Sequence, residues 1–82
     1  MKYNYKTKGT CSSAIQFEIN DGILSDVTFT GGCNGNLKAI GRLVNGKKAA
    51  EIADLLRGNT CGFKSTSCAD QLARAIDQAL AE

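Results

Sequence analysis

The sequence contains no histidine. Within this chain that removes the Ser-His-Asp and Cys-His arrangements that activate a nucleophile. No apolar run is long enough to cross a bilayer, so no membrane association is expected. No basic run and no stripe of interleaved aromatic and basic residues occurs, and the net charge is only +2. Direct nucleic-acid binding is therefore not expected. The opening stretch, Met1 to Lys6, lacks the apolar centre of a secretory signal, so a cytoplasmic protein is expected. No linker, internal repeat or low-complexity segment interrupts the chain.

What is present fits one small folded domain over residues 1–82. The hydrophobic fraction of 43% is ordinary for a globular chain and argues against disorder. A chain of this size has a small core and a thin stability margin. It nevertheless carries four cysteines. Stable disulfides are uncommon in a reducing compartment, so the thiols need another reason.

Two periodicities divide the chain. Lys2 to Thr7 alternates, with Tyr3 and Tyr5 on one face. Ala14 to Asn20 alternates again, with Ile15, Phe17 and Ile19 on one face. Ile23 to Thr30 forms a third strand pattern with Val27 and Phe29 inward. Asn20-Asp21-Gly22 between the last two is a hairpin signal, because Asp-Gly accepts positive φ. Gly9 to Ser13 reads as a turn. Three helical patterns follow. Leu37 to Val44 has Leu37, Ile40, Leu43 and Val44 on a stripe and stops at Asn45-Gly46. Lys48 to Arg57 carries Ala49, Ile52, Ala53 and Leu56. Cys68 to Ala81 carries Leu72, Ala75, Ile76, Ala79 and Leu80. Asn59 to Ser65 reads as a loop. Ser67-Cys68-Ala69-Asp70 reads as a capping box with Asp in the place of Glu. Strands followed by helices predict an α+β fold: a three-stranded antiparallel sheet covered on one face by three helices.

The stretch Gly31-Gly32-Cys33-Asn34-Gly35-Asn36 sits where the third strand gives way to the first helix. Its glycines permit positive φ, and Asn34 or Asn36 is a suitable helix cap. A cysteine on such a turn has its thiolate favoured by the helix dipole. The spacing Cys11-x21-Cys33-x27-Cys61-x6-Cys68 contains no C-x-x-C knuckle. Topology is more informative. If each element crosses the domain once, Cys11, Cys33, Cys61 and Cys68 all fall at the same end. Lys8 and Lys64 flank that end in sequence. Four thiolates around one divalent ion match a closed tetrahedral zinc site, and the same ligands match an iron–sulfur cluster. Redox-active thiols and plain packing are the metal-free alternatives. Gly31-Gly32-x-x-Gly35 lacks the ending of a Walker motif and the spacing of a dinucleotide fingerprint. Asp70, Asp54 and Glu51 read as helix-face or cap residues, and no catalytic residue is assigned.

Thr66-Ser67-Cys68-Ala69-Asp70 carries a resemblance, together with Gly32-Cys33-Asn34-Gly35-Asn36, Cys61-Gly62-Phe63-Lys64 and Gly9-Thr10-Cys11. With these motifs the chain resembles the TSCPD domain family over nearly its whole length. Ala69 stands where the family name has proline, a change that weakens helix initiation slightly. The resemblance implies kinship with the C-terminal region of adenosylcobalamin-dependent ribonucleotide reductases, and hence a partner in nucleotide reduction. It also carries the label of ribonucleoside-diphosphate reductase activity. That reaction needs a large radical-bearing barrel and a cobalamin site, which 82 residues do not house. More distantly, the order of elements and of Cys11, Cys33 and Cys68 resembles the U-type iron–sulfur scaffold fold. Ser13 stands where that family has aspartate, Ser67 stands where it often has histidine, and Cys61 is an added thiol. Exchanging a labile oxygen ligand for sulfur favours a closed metal site over cluster assembly. A thiol redox relay or an iron–sulfur carrier is the alternative role.

Overall fold

A computed structural model describes residues 1–7, 12–31, 34–59 and 66–81. The expected α+β architecture is present. Strands β1 (Lys2–Lys6), β2 (Ser12–Asn20) and β3 (Ile23–Gly31) form one antiparallel sheet in the order β1-β2-β3. Helices α1 (Asn34–Val44), α2 (Ala49–Leu56) and α3 (Cys68–Ala81) follow.

The β2–β3 hairpin turns where Asn20-Asp21-Gly22 predicts. Asn20 pairs with Ile23, which leaves Asp21 and Gly22 as a two-residue loop. Their φ values of 52° and 79° are those of a primed turn, whose twist matches the flanking strands.

Two irregularities in the β2–β3 ladder decide which side chains face the core. Glu18 pairs with Ser25 and Gln16 with Thr28, so Asp26 and Val27 both lie opposite Phe17. Asp26 takes a positive φ of 52° at this bulge. The extra residue shifts the alternation by one, and Leu24 becomes fully buried alongside Val27. Val27 and Phe29 do face inward as expected, Phe29 only half-buried; Leu24 joins them because of the bulge. At the other end, Ser12 pairs with Gly31 and Ala14 with Thr30, which makes Ser13 the extra residue. Ser12 and Ser13 therefore belong to the strand and not to the expected turn. Ser12 turns inward and is buried, whereas Ser13 is exposed and donates to the Thr30 carbonyl at 3.2 Å.

The helices pack in two ways. α1 lies against β3, and α2 lies against α3. Gly41 makes the first contact close: a Cβ there would stand 2.7 Å from the Val27 carbonyl oxygen. α1 starts at Asn34, three residues before the expected Leu37. The first-turn N–H groups have no helical acceptors, so asparagine and glycine are tolerated there. Leu43 and Leu80, expected on buried stripes, are exposed at 72% and 46%. α1 packs chiefly on β3, and Leu37, Gly41 and Val44 are its buried positions. On α3 the buried positions shift toward Ala69, Leu72, Ala73, Ala75, Ile76 and Ala79. The core joins Ile15, Phe17, Leu24 and Val27 of the sheet to Val44, Ile52, Leu72 and Ile76 of the helices. The opposite sheet face is polar, with Gln16 bonded to Asn4, Thr28 and Thr30.

The element ends sort to two poles. At one, Ala49 N–H donates to Gly22, Leu24 N–H to Lys47 and Gly46 N–H to Leu24. This gathers the hairpin tip, the end of α1 and the start of α2. At the other pole lie the start of β2, the end of β3, the end of α2 and the start of α3, through contacts given below.

Candidate functional site

α3 begins with a built cap. Ser67 accepts the Asp70 N–H on its hydroxyl at 3.1 Å, and its carbonyl accepts the first helical bond from Gln71 N–H at 2.8 Å. The Ser67 hydroxyl also donates to the Asn59 carbonyl, and Asn59 Nδ2 donates back to it at 3.3 Å. Cys68 is the first helical residue and is half-buried. Its Sγ lies 3.2 Å from Ser12 Oγ.

The expected capping box forms only in part. The Asp70 carboxylate turns away from the Ser67 backbone and accepts the Gly58 N–H at 2.7 Å, the Thr66 hydroxyl and Arg74 Nε at 2.9 Å. Asp70 is 1% exposed, so it is an anchor between α2 and α3 and not a face residue. Burial pulls its pKa up. The Thr66 and Gly58 hydrogen bonds and the Arg74 charge outweigh burial, and its pKa is held below the ordinary carboxylate value. Gln71 Nε2 donates to the Thr66 hydroxyl at 3.0 Å, and both residues are buried. Thr66, Ser67, Cys68 and Asp70 are thus one hydrogen-bonded helix start.

Of the four cysteines expected to converge, Cys68 is described. Cys11, Cys33 and Cys61, with Lys8 and Lys64, lie outside the described residues, as does most of the expected loop after Asn59. Among the described residues no group of three or more metal-capable side chains occurs. Gly31 takes the positive φ, 77°, expected of the strand-to-helix turn. Asp54 and Glu51 are exposed on α2 as expected, and Asp54 pairs with Arg57 at 3.0 Å. Two residues around Cys68 escaped the pattern reading. Asp70 was visible as the last letter of Thr66-Ser67-Cys68-Ala69-Asp70, but not as a buried group. Ser12 gave no signal, because its inward turn depends on the bulge at Ser13.

A cleft of about 530 Å³ between β3 and α1 is lined by Val27, Phe29, Leu37, Lys38 and Arg42, and does not include Cys68. Among the described residues no helix is long and apolar enough to cross a membrane. Comparison with curated proteins gave no match, and comparison with solved structures gave none. The family model of the TSCPD domain matches residues 1–80, essentially the whole chain, and the protein therefore belongs to the TSCPD domain family.

Proposed function

We propose that this protein is a small metal-binding accessory domain with Cys11, Cys33, Cys61 and Cys68 as ligands and zinc as the ion. The observation that carries the reading is the junction at Ser12. Ser12 follows Cys11 in the chain, pairs with Gly31 two residues ahead of Cys33, and sets its hydroxyl 3.2 Å from Cys68 Sγ. One residue step spans about 3.8 Å, so these covalent tethers support convergence of Cys11 and Cys33 on Cys68. Asn59 is bonded to Ser67, and this supports the same pole for Cys61, two residues farther along.

The chemistry of the donor set fits. Four thiolates leave no open position on a tetrahedral ion, which favours a structural role over a catalytic one. The ion would join the β2 start and β3 end to α3, and would add folding energy to a small core. Membership of the TSCPD family supports a partner in nucleotide reduction, a ribonucleotide reductase, with this chain as the accessory.

The test is elemental analysis with an absorption spectrum on protein purified without oxygen. The expected result is about one zinc per chain without visible absorbance. Cys68→Ala is expected to lower both metal content and melting temperature. Iron with a brown chromophore would move the reading to cluster carriage. Absence of both metals would overturn it in favour of redox thiols.

A further inference from the structure

We propose that the cleft between β3 and α1 is a binding site for a small phosphate monoester with a flat apolar body. Lys38 and Arg42 hold the phosphate, and Val27, Phe29 and Leu37 supply the apolar surface. The proposal stands apart from the metal-binding reading, because the cleft does not include Cys68.

Two attachments fix the walls of the cleft. Gly41 lets α1 come close to the Val27 carbonyl, and it brings no side chain into the space between the two elements. One turn farther on, Asn45 Oδ1 accepts the Asp26 N–H at 3.2 Å and ties the end of α1 to the same strand. Asp26 is the positive-φ residue of the bulge, so the helix is attached where β3 departs from regular pairing. The enclosed volume of about 530 Å³ falls in the range of small-molecule sites.

The lining divides by chemistry. Val27 and Leu37 are buried and Phe29 is half-buried. Phe29 adds an aromatic ring, which prefers a flat partner in offset stacking. Lys38 and Arg42 are exposed and stand four residues apart on α1, which places them on one face of the helix about 5–6 Å apart. Like charges at that spacing repel, and an anion between them turns the repulsion into two attractions. The ion pairs among the described residues engage Arg57 and Arg74, not Lys38 or Arg42. A phosphate monoester carries a charge of about −1.5 to −2 at neutral pH and has three acceptor oxygens. It can therefore meet the Arg42 fork and the Lys38 ammonium together. A carboxylate, with one charge and two oxygens, satisfies one of them. Asp26 also lines the cleft and opposes an anion, which provides a test in the opposite direction.

The test is a titration of the isotope-labelled full chain followed through its backbone amide resonances, with phenyl phosphate as the probe. Inorganic phosphate, benzyl alcohol and benzoate are the comparison ligands. Phenyl phosphate is expected to shift the Thr28, Phe29, Lys38 and Gly41 amides saturably. Its affinity is expected to exceed that of each comparison ligand about tenfold. Arg42→Gln is expected to weaken it about tenfold and Lys38→Gln about threefold. Both side chains are exposed, so the variant spectra are expected to keep the fold. Asp26→Asn, which accepts the same positive φ, is expected to bind about two- to threefold more tightly. Lys2→Gln, on the polar sheet face, is expected to bind as wild type does. Inorganic phosphate bound as tightly as phenyl phosphate would overturn the apolar half of the proposal. Benzoate bound as tightly would overturn the assignment to phosphate. Absence of saturable shifts, shifts centred outside the cleft, or an unchanged affinity in Arg42→Gln would overturn the site itself. None of these outcomes bears on metal content, which elemental analysis decides separately.

Discussion

The Gly58 backbone N–H donates to the Asp70 carboxylate at 2.7 Å, and this bond, with those between Asn59 and Ser67, closes the corner between α2 and α3. The chain between those helices has to return Cys68 to the pole where β2 starts. A carboxylate at the third position of α3 reaches back to the residue just past α2, while Thr66 and Arg74 satisfy its other oxygen. Asp70 therefore acts on the site by holding the helix start on which Cys68 stands.

Asp70→Ala is expected to destabilise the fold more than any exposed carboxylate change. It removes the acceptor of the Gly58 N–H and of the buried Thr66 hydroxyl, at a cost of about 1–3 kcal/mol. Asp70→Asn keeps one acceptor oxygen and is expected to cost less. Asp54→Ala, whose partner Arg57 retains a bidentate bond to Asp77, is expected to stay within about 0.5 kcal/mol. Urea unfolding of the three variants checks the order, and an Asp70→Ala midpoint equal to that of Asp54→Ala would refute the anchor.

The same carboxylate predicts acid sensitivity. Its folded pKa is depressed, so between the two pKa values the unfolded chain binds more protons than the folded one, and stability rises with pH. The contribution is present above the unfolded value of about 3.9 and is lost as pH falls through the folded pKa. Asp70→Asn removes that loss. Glu18, lowered chiefly by a hydrogen bond with Asn20, adds a slope of the same sign that both proteins keep. Urea midpoints from pH 7 down to pH 2 are therefore expected to fall less steeply for Asp70→Asn than for wild type. Parallel curves would contradict the assignment.

The elements and their order were legible because the hydrophobic periods switch cleanly from two to 3.6 after Gly31. Cys68–Ala81 is helical with the bounds its pattern predicts, and the hairpin turns at Asp21-Gly22. What was not legible depends on partners distant in sequence. Nothing local to Ser25-Asp26-Val27 announces a bulge, since the extra residue is defined against Phe17 on another strand. Leu43 and Leu80 continue their helical stripes, yet both are exposed, because burial depends on what the rest of the fold places opposite them. Asp70 is charged, and a charged side chain is expected outside unless its burial is paired. The pairing here needs Gly58 and Thr66, which periodicity does not bring together. Of the candidate site, the cap at Ser67 was readable from the Ser-x-x-Asp spacing, and Ser12 was not.

Two glycines of α1 are expected to answer an alanine substitution with opposite signs. A Cβ at Gly41 would meet the Val27 carbonyl oxygen, a backbone atom that cannot swing aside. Gly41→Ala has to push α1 away from β3, at about 1–3 kcal/mol, which exceeds the gain of about 1 kcal/mol in helix propensity at the upper end of that range. At Gly35 nothing lies within 4 Å. Gly35→Ala is expected to stabilise by about 0.5 kcal/mol through the unfolded chain. Thermal melts of the pair resolve the two signs, and a stabilising Gly41→Ala would show that α1 and β3 are not in close contact.

Ser67 and Asp70 are expected to be energetically coupled. Ser67→Ala removes the acceptor for the Asp70 N–H, a cap loss of about 1 kcal/mol, and also the donor to the Asn59 carbonyl. Asp70→Asn loosens the Gly58 tether at the same corner. Each change relaxes the segment that the other holds, so the second is expected to cost less once the first is made. Residues sharing one network deviate from additivity by about 0.5–3 kcal/mol. A double-mutant cycle in urea measures the deviation. Strict additivity would mean that the cap and the anchor are separate devices. A coupling above about 0.5 kcal/mol would mean that Thr66-Ser67-Cys68-Ala69-Asp70 acts as one unit, in which the thiol is held by both ends of the corner.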